Sequence, residues 1–151
     1  MTKDDFKELP PEERIKRLKP VGGDIVYGRE GSYGDAVIIP AGIKLSLGQR
    51  VMLFRPIYTI MNSQFMHAVV RSKGVYSQAQ RVNAGSTVGH VNIKDIRKFN
   101  IIVPPFDLQN QFADRIQSID SQKAKAQESL DKSEALFNSL LQKAFKGELT
   151  N

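Results

Sequence analysis

Gly28-Arg29-Glu30-Gly31-Ser32-Tyr33-Gly34 repeats glycine at every third position, the kind of spacing that can cradle a phosphate. Glu30 stands where G-x-G-x-x-G needs its second glycine, and Ala36-Val37-Ile38-Ile39 follows as a strand-like segment; no G-x-x-x-x-G-K-[ST] occurs anywhere. The spacing therefore predicts a turn between two strands. Val103-Pro104-Pro105-Phe106 differs from the N-P-P-[YF] catalytic loop at the residue that would hold the amine, so Pro104-Pro105 reads as a joint. His67 and His90, the only histidines, are too far apart in sequence to form a metal pair. There is no cysteine, no Ser/His/Asp arrangement and no nuclease-like acidic cluster. The chain reads as non-catalytic, with no cofactor.

The polar run from Val75 to Asn92 is more informative. It reads as a long loop, and Ser77, Gln78, Gln80, Arg81, Asn83, Ser86, Thr87, His90 and Asn92 crowd it with short donors and acceptors. Arg, Asn and Gln can each make two-point contacts with base edges, and long loops in compact domains often carry function. Gln78, Gln80, Arg81 and Asn83 are the first candidates for reading bases.

Charge points the same way. The chain carries +6 overall, but residues from Asp107 onward hold 6 basic and 7 acidic groups, which leaves 16 basic and 9 acidic, a net of +7, in residues 1–106. No acid occurs between Asp35 and Asp95, whereas Lys44, Arg50, Arg55, Arg71, Lys73, Arg81 and Lys94 all do. Such a one-signed stretch implies a polyanionic partner. Arg29, Arg50, Arg71, Lys73, Arg81 and Lys94 are the candidate phosphate contacts.

These residues need a scaffold. Pro11 to Leu18 reads as a short charged helix, and Asp24-Ile25-Val26-Tyr27, Ala36-Val37-Ile38-Ile39 and Arg50-Val51-Met52-Leu53-Phe54 read as strands. Ser63 to Lys73 has helical apolar spacing ended by Gly74, Lys94 to Lys98 is a helical turn, and Asn100-Ile101-Ile102-Val103 is a last strand. This irregular alternation predicts an α+β domain over residues 1–106. Residues 107–151 form a second element, a helix of about 40 residues and roughly 60 Å. Asp107 is its expected N-cap and Gly147 its αL terminator. Phe112, Ile116, Ile119, Ala126, Leu130, Phe137, Leu140 and Ala144, with Leu141 beside them, form an apolar seam that is bulky at both ends. The seam predicts antiparallel pairing with a second helix, crossing near Glu128, and the partner is expected to be another copy.

Taken together, Gly23 to Gly34, Leu47 to Pro56, and Ile102-Val103-Pro104-Pro105 followed by the long helix ending Ala144-Phe145-Lys146-Gly147-Glu148-Leu149 resemble the specificity (S) subunit of type I restriction–modification systems. The resemblance implies a target recognition domain that binds double-stranded DNA, and a spacer helix. It also implies a methyltransferase (M) subunit and a motor-nuclease (R) subunit as partners. The assembled complex would then be the DNA methyltransferase and type I site-specific deoxyribonuclease. Full members carry two recognition domains and two spacers, so the match implies a half-size or partial member whose usual N-terminal segment is missing or replaced by Met1 to Pro20. Asn110-Gln111 stands where the family typically carries glutamate–glutamine at the helix start. A coiled-coil interaction module without DNA reading, or a basic RNA-binding module, are the competing expectations. Absence of cysteine, of an apolar leader and of any stretch near 18 apolar residues fits a cytoplasmic protein with no membrane partner.

Overall fold

The computed structural model describes residues 6–7, 18–31, 33–83 and 89–148. The helix expected from Pro11 to Leu18 falls largely outside them, as do Ser86 and Thr87. The elements in order are β1 (Phe6–Lys7), β2 (Ile25–Gly28), β3 (Ala36–Ile38), β4 (Ser46–Leu47), β5 (Val51–Phe54), α1 (Ser63–Val70), α2 (Lys73–Val82), α3 (Ile93–Ile96) and α4 (Phe106–Phe145). The chain divides into two units, Met1–Gln111 and Phe112–Asn151.

In the first unit β2 lies between β3 and β5, antiparallel to both, and β1 pairs separately with β4. Side chains along a strand alternate between faces, and both faces of β2 are covered, so the whole strand is buried. Ile25 and Tyr27 pack with Val70, Ala79, Val91 and Ile96 on the helical side; Val26 packs with Ile39, Leu45 and Val51 on the other. A buried carboxylate borders the sheet. Asp24 is 0% exposed and accepts from Arg55 Nε at 2.8 Å and Nη2 at 2.7 Å, and from the Val21 amide at 2.9 Å. The hydrogen bond to Asp24 is the main reason the Arg55 pKa lies above its ordinary value.

The glycine-spaced segment is the expected turn between β2 and β3, with Gly31 at φ 72° and Gly34 at φ 95°. Three other expectations are corrected. The apolar helix stops at Val70, two residues short of a second helix, because the Ser72 hydroxyl caps α2 by accepting from the Val75 amide at 3.3 Å; Gly74 lies inside α2. The polar run is therefore helical as far as Val82, held by Val75 and Ala79, both buried one turn apart. Asn100 to Val103 forms no strand: the Asn100 peptide is engaged by the Gln78 side chain, and Ile102 is 80% exposed.

α4 begins at Phe106, so Asp107 lies in its first turn and complements the dipole there. Its end is as expected: Gly147 adopts φ 73°, Glu148 N donates to Lys143 O at 2.9 Å, and Gly147 N donates to Ala144 O at 3.1 Å, a Schellman closure. The described part of the second unit is the remainder of this helix and its closing turn. Ile119, Leu130, Phe137, Leu140, Leu141 and Ala144 are exposed along it, whereas Phe112 and Ile116 are half-buried. No described helix is long and apolar enough to cross a membrane.

Candidate nucleic-acid interface

Residues singled out by type now separate into struts and exposed groups. Arg29 is a strut. Its Nε and Nη2 donate to the Gln49 carbonyl at 3.0 and 2.6 Å, and its Nη1 lies 3.2 Å from His90 Nε2. Backbone pairing fixes this corner: Arg29 N donates to Arg50 O at 3.0 Å, and Val91 N donates to Arg29 O at 2.8 Å. Gln78 is also a strut, clasping the Asn100 peptide with its Oε1 accepting at 2.8 Å and its Nε2 donating at 2.9 Å. Asn83 accepts the His90 amide hydrogen at 3.0 Å through Oδ1. His67 is half-buried, with Nε2 3.0 Å from the Ala36 carbonyl.

Arg50, Arg71, Lys73, Gln80, Arg81, Asn92 and Lys94 are exposed. Asn92 stands at the N-cap position of α3 without a side-chain cap bond. A stretch free of acids in sequence is not free of them in space. Glu30 reaches 3.9 Å from Arg50 and 3.6 Å from His90 Nδ1, because the short pairing of Glu30 with His90 brings distant stretches together. Arg50 remains largely solvated, so that contact is weak.

Two features were not legible by type. Tyr33 and Tyr76 stack with centroids 5.6 Å apart and planes 7° apart, and a hydrogen bond between them raises the Tyr76 pKa. Gly34 and Gly89 make room for the pair: a Cβ would lie 2.6 Å from Tyr76 Cδ2 at Gly34 and 2.7 Å from Tyr33 Cε1 at Gly89. The second is Gln109 in the first turns of α4. It is wholly buried; Oε1 accepts from the Asn62 amide at 2.9 Å, and Nε2 donates to Ile60 O at 3.0 Å and Pro104 O at 2.8 Å. Asn62 caps α1 through the same residue's Oδ1 and donates through Nδ2 to Asn110 Oδ1 at 2.9 Å. Gln109 is thus the glutamine anchored at the helix start, whereas Gln111 is exposed. Among the described residues no cluster of His, Cys, Asp and Glu could hold a metal.

A basic α+β unit continuing into a long helix with an exposed apolar face matches a known class of DNA specificity domain. The family model for the type I restriction modification DNA specificity domain matches residues 6–145, and this chain belongs to that family. The specificity subunit of the type I restriction enzyme EcoBI from Escherichia coli is 27% identical over 143 residues, 91% of this chain and 30% of that subunit. The crystal structure of the HsdS subunit from Thermoanaerobacter tengcongensis superposes with a TM-score of 0.66 at 14% identity, over 83% of this chain and 33% of that one. A chain from a structural study of complex assembly and conformational transition of the type I R-M system gives 0.62 at 19% identity, over 88% and 33%. These likenesses establish the fold, small antiparallel sheets with helices and a long C-terminal helix. The chain spans about a third of the length of these relatives.

Proposed function

We propose that this chain is a non-catalytic DNA sequence-recognition subunit of a type I restriction–modification system. Residues 1–106 act as one target recognition domain on double-stranded DNA, and residues 107–151 act as the spacer. The observation that carries this reading is the exposed basic set drawn from an acid-free stretch of 59 residues, in a chain that belongs to the specificity-domain family. The protein works in the cytoplasm and positions a methyltransferase (M) subunit and, for cleavage, a motor-nuclease (R) subunit.

The spacer helix pairs antiparallel with the same helix of a second copy. The support is its apolar seam, of which Leu130 and Phe137 are half or more exposed. A two-fold dimer carries the same reading surface twice in opposite orientations, so its target is an inverted repeat. A rod of roughly 60 Å limits the gap between half-sites to about 18 base pairs.

Binding to mixed-sequence duplex DNA across a salt series tests the nucleic-acid part. Log affinity falls linearly with log salt, by about 0.9 per neutralised phosphate. Absence of duplex binding at low salt, with α4 still pairing, leaves only a coiled-coil interaction module. Equal or better competition by double-stranded RNA makes it an RNA-binding module.

A further inference from the structure

We propose that α2 is the base-reading helix of this domain, lying in the major groove with Gln80 and Arg81 on base edges and Arg71 and Lys73 on flanking phosphates. The inference rests on the DNA-recognition reading above and narrows it to one helix face.

A reading helix must be long enough to present side chains to a groove about 12 Å wide, and must be held rigidly by its opposite face. α2, with 10 residues, is about 15 Å long. α3 has only 4 residues, and most of α1 is half-buried. Val75 and Ala79 anchor α2 from beneath. Gln78 ties its middle to the Asn100 peptide, and Asn83 ties its end to the His90 amide. Tyr76 is stacked on Tyr33 and seated over Gly34, so the helix can neither roll nor slide without breaking that stack.

At 100° per residue, Ser77 projects opposite Val75 and Ala79, Lys73 and Arg81 lie about 40° to either side of it, and Gln80 lies about 20° beyond Lys73. Gln80 and Arg81 are exposed, and their side chains pair with none of the described residues. α2 contains no acidic residue, and Arg71 and Lys73 at its start are exposed. Charge complementarity thus selects a polyanion for this face. The chemistry of these two exposed side chains narrows the choice further: Arg offers guanine O6 and N7 a fork of donors, and Gln matches adenine N6 and N7. Gln78 and Asn83, equally suitable by type, are committed to holding the helix.

The test is selection from a pool of random duplexes by the full chain and by Gln80→Ala, Arg81→Ala and Lys73→Ala variants, each checked for folding by circular dichroism. The unaltered chain enriches a defined motif. Arg81→Ala loses discrimination at one base position by on the order of tenfold to a hundredfold, and Gln80→Ala does so at a neighbouring position. Lys73→Ala weakens all sequences alike and flattens the salt dependence by about one phosphate. If the unaltered chain enriches a motif and both Gln80→Ala and Arg81→Ala keep it with full discrimination, α2 is not the reading helix. Uniform loss at every base in both variants overturns the assignment too, by making them phosphate contacts. No motif from the unaltered chain defeats the DNA-recognition reading itself, and this assignment with it.

Discussion

Gln109 and Asn62 lock the start of α4 to the start of α1: the buried Gln109 carboxamide accepts the Asn62 amide hydrogen at 2.9 Å while Asn62 caps its own helix. The same carboxamide donates to two carbonyls, so a single side chain satisfies three backbone groups. Stranding a buried backbone group costs about 1–3 kcal/mol. Gln109→Leu therefore lowers the stability to urea by at least about 2 kcal/mol. Gln109→Glu is also destabilised, because a carboxylate can accept from Asn62 but cannot donate to Ile60 or Pro104. Urea curves with unchanged midpoints would show that the lock carries no stability.

Tyr27 predicts an alkaline signature. Its hydroxyl is buried with no hydrogen-bond partner among the described residues, and burial first, then the neighbouring Tyr33 and Tyr76, push its pKa from 10.0 up to about 12. An unfolded tyrosine ionises from about pH 10 while the folded one keeps its proton to about 12. The stabilising contribution is complete below pH 10 and is lost as pH rises through that window. Tyr27→Phe is as stable as the unaltered protein or more so at pH 8, and its stability declines less between pH 10 and 12. Equal slopes for the two proteins in urea unfolding at pH 8 and 11 would refute the assignment.

The sequence made parts of this fold legible for definite reasons. β2, β3 and β5 are runs of β-branched and aromatic residues between glycines and prolines, and α4 is a proline-free stretch of strong helix formers with a glycine at its end. α2 was hidden because its apolar stripe is only Val75 and Ala79, and because Gly74 reads as a stop. Its helicity depends on the Ser72 cap and on tertiary burial, neither visible in residue type. Asn100 to Val103 failed in the opposite direction, since β-branched residues make a strand only where an edge is available to pair with. The candidate site was legible as a set of residue types. Which of them act as struts depends on contacts such as Gln78 with Asn100, 22 residues apart.

Glu30 gives a prediction of opposite sign to most. It is the carboxylate beside Arg50 and His90, at 3.9 and 3.6 Å, in an otherwise basic corner. Glu30→Gln removes a charge that repels phosphate, and unit charges about 4 Å apart in water interact by about 1 kcal/mol. Duplex DNA binding at low salt tightens a few-fold, and the gain fades as salt rises. Unchanged binding by this variant would place the corner away from DNA, and weaker binding would give Glu30 a structural role.

On the rod, Phe137 is 64% exposed in the single chain. Phe137→Ala consequently leaves the folding of the first unit unaltered but weakens self-association; full burial in the pair implies a loss of about 3–5 kcal/mol. Leu130→Lys places a charge near the crossing and has the same direction of effect. Sedimentation equilibrium of the three proteins checks this. A monomeric unaltered protein at high concentration would mean that the seam belongs to a different subunit.

The most direct measurement of the central claim is the methylation map obtained when this chain is combined with a type I methyltransferase subunit. The account predicts modification confined to one sequence motif, an inverted repeat whose half-sites lie no more than about 18 base pairs apart, and loss of that motif when this chain is left out. The same motif with and without the chain, or methylation independent of sequence, would contradict it.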